Sequence, residues 1–410
     1  MRERKQGGLL KRFALHPAVG SLLSAVVAAV IGLVIGFVIL LICNPSQAFP
    51  AIVTIVTGGF GLTGFVKAAA RICYYSMPLI MCGLSIAFAF KTGTFNIGCS
   101  GQYLVGGFFS ILTAHLLHPL LGSFVWIAAL IAGALAGGLW ALLPGLLNAY
   151  RNVNIIISGI MMNYIGTYMV SILIRKIPIV YNIAEAKTNA IPSDAVLPKA
   201  GLDKLLPTLG VGANLGFILV IVVGLLIWFL INRTSFGYEL RTCGANREAA
   251  RYAGINEKRS IVISMVIAGA LAGFGGAVVY LSNTSNFISV SDVVPGIGFT
   301  GIAVALLGMT NPLGVILAGL FVAFLQVGGI NLQIFGFVPE VVDVILAAII
   351  FSCAFAERLG TAYSLFVNNH YAKKEHQSME AAPAIPAAEP EPGPDGPPPE
   401  GDAPKGGDEQ

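Results

Sequence analysis

The feature that limits this chain most is a repeated one: apolar runs of about 20 residues, long enough to cross a bilayer, with almost no charge inside them. They read as spans near 19–42, 72–91, 98–118, 121–144, 153–174, 214–231, 259–281, 296–309, 312–330 and 339–356. The eighth is short and reads as re-entrant. Residues 48–66 are apolar but rich in glycine, and are expected to lie half-inserted or at the interface. Composition agrees. The chain is 56% hydrophobic and 11% charged, with a mean hydropathy of +0.81, whereas soluble domains carry roughly 25% charged residues. The expected fold is an all-α polytopic membrane protein of about ten transmembrane helices.

Charge sets the expected orientation. Arg2, Arg4, Lys5, Lys11 and Arg12 precede the first run. A signal peptide begins similarly, but its apolar core is roughly 7–15 residues and ends at a small-residue cleavage site. This run is longer, and Cys43-Asn44-Pro45 is a poor site. It reads as an uncleaved first span, with residues 1–18 as a basic cytoplasmic N-terminus. The span domain then covers 19–357. Ten spans place Arg151, a basic loop at 233–258 and Arg358 inside, and the 176–213 loop outside. Arg175 and Lys176 run against this assignment. Counting 48–66 as a further span would send the 233–258 loop outside, against the positive-inside rule.

The net charge of +4 conceals two opposite parts. Residues 375–410 hold nine acids, one lysine and nine prolines, which leaves 23 basic and 11 acidic residues elsewhere. The 358–410 segment reads as a disordered, solvated cytoplasmic tail. No nucleic-acid module is visible, and the basic excess fits a cytoplasmic membrane face in contact with lipid. The six cysteines form no CxxC pair, so neither a disulfide framework nor a zinc site is indicated. His115 and His118, at i and i+3, read as structural interfacial histidines, and no metal is expected. No phosphate loop and no nucleophile–base spacing is present. The chain is therefore expected to be no enzyme and to hold no cofactor of its own.

Two kinds of polar segment interrupt the apolar pattern. The first is basic. Residues 233–259 carry six basic residues against three acids. Asn246 is a natural N-cap, Arg247 to Ala253 contain good helix formers, and Gly254 is a natural stop. A compact helix in a basic loop suits a cytoplasmic partner; simple anchoring at the membrane surface is the plainer reading of its arginines.

The second kind lies inside the apolar part. In Phe95-Asn96-Ile97-Gly98-Cys99-Ser100-Gly101-Gln102-Tyr103, polar side chains cluster where one span ends and the next begins. Broken helices are tolerated in a membrane only where they line a cavity or are buried in protein. Their amides could bind a solute's hydroxyls and ring nitrogens, and Phe95 and Tyr103 could stack on a ring. The alternative is a tight interhelical turn whose polar groups satisfy one another. Pro295-Gly296-Ile297-Gly298-Phe299-Thr300-Gly301 is a second break. One such break in each half is the expected sign of an internal repeat with a site between the halves. Asn154 and Asn163 are nine residues apart, so a helix places them about 180° apart, and at most one faces a central path.

Taken together, FNIGCSGQ (95–102), INRTSFGYELRTCGANREAARYAGIN (231–256) and GIGFTGIAVALLGMTNPLGVILAGL (296–320) resemble the inner-membrane permeases of ABC importers. The nearest group takes up nucleosides or simple sugars with a lipoprotein binding protein. The resemblance implies a ten-span permease in a bacterial plasma membrane. It implies a second, similar permease as partner, a cytoplasmic ABC ATPase that holds the ATP and magnesium, and an external lipoprotein receptor. It also implies ATPase coupling through Gly237, Glu239, Arg241, Gly244, Asn246, Arg247, Ala249, Ala250, Arg251 and Gly254. With Ala253, Ala249 and Ala250 would be the packed face. The substrate path would pass Phe95, Asn96, Ser100, Gln102, Tyr103, Asn163 and Thr300. Relatives usually carry acids in FNIGAEGQ, NEVI and GFDGIAVALLG, where this chain has Ser100, Ile155 and Thr300. If those acids bind ligand hydroxyls, contacts of about 1.5–3 kcal/mol each are missing here. The rival class is an ion-coupled secondary transporter, or a passive channel for a small polar solute. Ion coupling usually needs ionisable groups within the bundle, and Lys91, Glu340 and Asp343 sit only at span ends.

Overall fold

The computed structural model describes residues 17–205 and 212–354. The basic N-terminus up to residue 16 and the acidic tail lie outside the described residues. The principal helices are α1 (Pro17–Cys43), α2 (Ala48–Val56), α3 (Phe65–Lys91), α4 (Cys99–Leu121), α5 (Val125–Arg151), α6 (Ile155–Lys176) and α7 (Leu215–Arg233). They continue as α8 (Ser235–Ala245), α9 (Arg247–Tyr252), α10 (Glu257–Tyr280), α11 (Ile297–Leu307), α12 (Pro312–Ile330) and α13 (Pro339–Ala354). Single helical turns lie at Phe60–Thr63 and Leu202–Leu205.

Each apolar run read from the sequence falls on one of these helices. Among the described residues, six helical stretches are long and apolar enough to cross a membrane. One of them, Cys99–Arg151, contains two helices. At Gly122 the backbone turns through φ 51°, and α5 packs back along α4. Helix α3 begins at Phe65 rather than near 72. Lys67 and Arg71 mask its start in the hydropathy pattern, yet at a helix end such side chains can reach away from apolar surroundings. Helix α2 has nine residues, about 14 Å of rise, against a hydrocarbon core of about 30 Å. It does not cross. It packs on α12, where a Cβ at Gly328 would lie 2.8 Å from the Ile55 Cα.

Helices α4, α5 and α10 form the tightest group. Their contacts are backbone on backbone. A Cβ added at Gly137 would lie 2.7 Å from the Gly273 Cα, and one at Gly133 would lie 2.9 Å from the Gly106 carbonyl oxygen. Small residues of this kind let helices approach closely where lipid offers no hydrophobic drive. Helix α3 packs against this group, and α11 and α12 pack on α3, through buried Leu79, Ile80, Met81, Leu84, Val304, Val315 and Val322. A second cluster joins α1, α2 and α13 through Leu40, Ala48, Ala51, Ile55, Val342 and Ile345.

Two ends of the bundle are defined by contacts. At one end, the 92–98 turn and α10 meet the 234–256 segment, and Lys258 at the start of α10 lies over the Tyr150 ring at the end of α5. At the other, β1 (Tyr181–Asn182) pairs antiparallel with β2 (Lys187–Thr188). Thr188 N–H donates to the Ile288 carbonyl at 2.9 Å, and Leu197 N–H donates to that of Leu281 at 2.9 Å. The 177–205 segment is thus sewn onto the 281–290 segment. His118 Nε2 and Asp194 Oδ2 add a contact of 2.8 Å between α4 and this layer. The two residues lie 76 positions apart, so sequence order does not reveal the pairing. The ring nitrogen holds the Asp194 carboxyl below its ordinary range. Among the described residues, no group of three His, Cys, Asp or Glu could hold a metal ion.

Candidate transport and coupling site

The break between α3 and α4 is built from amides that bond one another. Asn96 Nδ2 donates to Gln102 Oε1 at 2.7 Å, and Gln102 Nε2 donates to Asn96 Oδ1 at 2.9 Å. Asn96 Nδ2 also donates to Ser85 Oγ in α3 at 2.9 Å. Asn163 in α6 closes the other side. Its Nδ2 donates to the Ile97 carbonyl at 2.9 Å, and its Oδ1 accepts from Gly101 N–H at 2.8 Å. All of these side chains are buried. Asn163 thereby satisfies one of the orphan N–H groups at the start of α4. Of the two asparagines placed on opposite faces, Asn154 is the exposed one. It caps α6, accepting from Ile156 N–H at 2.9 Å.

Ser100 stands apart from this network. It is wholly buried, and its Oγ has no hydrogen-bond partner among the described residues. It faces the first turn of α11. A Cβ at Gly298 would meet the Ser100 Oγ and lie 2.6 Å from the Ser100 backbone nitrogen. The N-termini of α4 and α11 therefore meet inside the bundle, joined through glycine. Both breaks read from the sequence come together at this one contact. Thr300 Oγ1 turns back toward the Gly296 carbonyl at 3.4 Å and is half-buried. Phe95 is half-buried and packs on Phe90, with centroids 4.7 Å apart. Tyr103, three residues beyond Ser100 on the same helix face, lies 6.1 Å from the Tyr280 ring. The donors and acceptors gathered here are all uncharged. Sequence reading missed Ser85. A serine within the apolar run IMCGLSIAF was a usable signal for it. Gly298 was read only as part of the second break, because its role depends on which helix it crosses.

The basic segment forms two helices rather than one. Thr234 caps α8, its Oγ1 accepting from Gly237 N–H at 3.0 Å. Helix α8 contains two glycines, Gly237 and Gly244. Both are required by close packing: a Cβ at Gly237 would lie 2.7 Å from the Ile231 Cα, and one at Gly244 would lie 2.7 Å from the Lys91 carbonyl. Helix α9 is capped as its sequence implied. Asn246 Oδ1 accepts from Ala249 N–H at 3.1 Å. At the other end Gly254, with φ 80°, donates to the Arg251 carbonyl and Ile255 N–H donates to that of Ala250, the paired bonds of a left-handed helix stop. Burial pushes the Cys243 thiol up, so it stays protonated at neutral pH.

Arg247 ties this element to the break. Its Nη2 donates to the Gly93 carbonyl at 3.1 Å. Gly93 is three residues before Asn96. Glu239, Asn246, Ala249, Arg251 and Gly254 are exposed, and Arg241 is half-buried with a sealed, unpartnered Nε. Ala250 corrects one expectation. It is fully buried within the chain, so it cannot share an outward face with Ala249 and Ala253, which are exposed. The residue that does stand out is Tyr252, 93% exposed.

Comparison with known proteins gives a consistent picture. Residues 68–354 match the family described as branched-chain amino acid transport system / permease component. The guanosine ABC transporter permease protein NupP of Bacillus subtilis is 38% identical over 298 residues, 71% of this chain and 82% of that protein. The nucleoside ABC transporter permease protein NupB of Lactococcus lactis is 37% identical over 282 residues, covering 68% and 76% respectively. The glucose ABC transporter permease protein TsgB13 of Haloferax volcanii is 32% identical over 317 residues, covering 75% and 80%. No solved structure gives a significant match.

Proposed function

The chain belongs to the branched-chain amino acid transport system / permease component family, and on that premise we propose that it forms the translocation path of an ATP-driven importer for nucleosides or simple sugars. It is a permease subunit of an ABC importer and a multi-pass plasma-membrane protein. In the proposed assembly it pairs with a second, homologous permease. A cytoplasmic ABC ATPase supplies ATP hydrolysis, and an external lipoprotein receptor delivers the solute. The 234–256 segment lies on the cytoplasmic side with both termini, and α11 is a re-entrant helix. The two helix breaks belong to the two halves of an internal repeat.

The bond from Arg247 to the Gly93 carbonyl carries this reading. A push on the exposed face of α9 reaches Gly93 directly. From there it reaches Asn96, Gln102 and the Ser100–Gly298 contact through the short 92–98 turn. The path residues are Phe95, Asn96, Ser100, Gln102, Tyr103, Asn163 and Thr300. The Asn96–Gln102 pair and the Asn163 bonds to the Ile97 and Gly101 backbone describe a closed state, and parting α4 from α11 opens the path beside them to solute.

The direct test is to purify the tagged chain from its native membrane in mild detergent and identify its companions. A stoichiometric ATPase with a second permease or a lipoprotein supports the assembly. Recovery of the chain alone under several gentle conditions overturns it and favours ion-coupled or passive transport.

A further inference from the structure

Tyrosines from three helices meet beyond the Ser100–Gly298 contact, toward the end of the bundle that carries the 177–205 layer. The rings of Tyr103 in α4 and Tyr280 in α10 lie 6.1 Å apart, inclined at 50°. Tyr74 in α3 is within electrostatic reach of both. Its hydroxyl accepts from Asn286 Nδ2 at 2.9 Å, and Tyr75 stands edge-on to it at 5.3 Å. Tyr74 and Tyr103 are 9% and 6% exposed. The hydroxyls of Tyr103 and Tyr280 bond to no described residue, and Tyr280 is only half-buried. A hydroxyl that bonds no neighbour keeps its donor and acceptor available to a solute, and apolar helices offer it few other partners. Nothing in the packing of the bundle needs these two oxygens.

We propose that Tyr74, Tyr103, Tyr280 and Asn286 form a subsite for the uncharged heteroaromatic base of a nucleoside, on the outer side of the Ser100–Gly298 contact. The inference rests on the transport reading above and narrows it. Aromatic faces stack on a purine or pyrimidine ring. The free hydroxyls and the Asn286 amide match the donors and acceptors on the base edge. None of the four residues carries a charge, so a phosphorylated solute finds no counter-ion there. A bare sugar has hydroxyls but no π face, and would gain only part of these contacts.

The test uses the complete assembly in native membrane vesicles, with 8-azidoguanosine as a photoactivated probe and labelled guanosine and ribose as transport substrates. The expected result is guanosine uptake, with covalent label on the peptides that contain Tyr103 and Tyr280. An excess of guanosine should suppress that label, and an equal excess of ribose should not. Tyr103→Leu, which removes the ring, should lower labelling roughly tenfold or more. Tyr103→Phe and Tyr280→Phe remove one oxygen each, leave the packing intact, and should lower it about threefold to tenfold. Guanosine uptake with label elsewhere, or with label unchanged in the Phe variants, overturns the subsite and leaves the permease reading standing. Uptake of ribose without guanosine overturns the ligand class. Uptake of neither overturns the transport reading on which the inference rests.

Discussion

At Ser100 and Gly298, two atoms' worth of space decides how closely two helices approach. An alanine normally favours a helix over glycine by about 1 kcal/mol. At Gly298 the added carbon would lie 2.6 Å from the Ser100 backbone nitrogen, and backbone cannot rotate aside as a side chain can. Overpacking of this kind costs about 1–3 kcal/mol, so the clash wins. Gly298→Ala is therefore expected to lower the melting temperature of the purified protein, despite its better helix propensity. A raised melting temperature would show that α11 and α4 are not held in this contact. The residue scale also shows what a sequence can tell. Asn246 and Gly254 were legible as caps because their partners lie within five residues. The Asn96–Gln102 pair was legible as a cluster, since both lie on one short segment. Asn163 was not assignable beyond its helix face, because its bonds to Ile97 and Gly101 cross more than 60 positions of sequence.

Among the elements, the long apolar helices were readable from apolar length alone, with the error in them confined to their ends. The late start read for α3 came from Lys67 and Arg71, whose charge lowers hydropathy without ending a helix. Helix α8 was missed because Gly237 and Gly244 depress propensity, and propensity knows nothing of the neighbours that demand glycine there. The alanines of α9 were misread for a related reason. Six residues give too little periodicity to tell an inward position from an outward one. The structure separates them, and a paired experiment uses the difference. Ala249→Arg places charge on the exposed face and is expected to leave the protein at normal abundance while reducing uptake at least tenfold. Ala250→Arg buries an unpaired charge and is expected to abolish accumulation of the folded protein. Immunoblotting and uptake measured on both variants check this. Normal transport by Ala249→Arg would remove α9 from the coupling route.

Across the whole molecule, the 177–205 layer is held to the bundle partly by the His118–Asp194 contact. The Asp194 carboxyl titrates below its ordinary value because the His118 ring bonds it. A depressed carboxyl contributes its stability above the unfolded value, near 4, and loses it as pH falls through the lower folded value. Amide hydrogen exchange in residues 177–205 is therefore expected to gain protection from this contact at pH 5–7 and to lose it toward pH 3, after correction for intrinsic exchange rates. Asp194→Asn should show the reduced protection already at pH 7, with little further change on acidification. Equal protection in both proteins at pH 7 would show that the contact does not hold the layer.

The glycine contacts among α4, α5 and α10 restrict how a chain like this can change over generations. Glycine has no smaller neighbour, so every single substitution at Gly106, Gly133, Gly137 or Gly273 adds a carbon where the facing atoms are mostly backbone. A facing side chain could shrink to compensate; a facing backbone cannot. Second-site suppressors should therefore be scarce along this seam. They should be far easier to find along the outward stripes, such as Ile131, Leu135 and Leu139 on α5. Divergence in what such a protein carries is then channelled away from the seam, into side chains on helices whose spacing the glycines have already fixed.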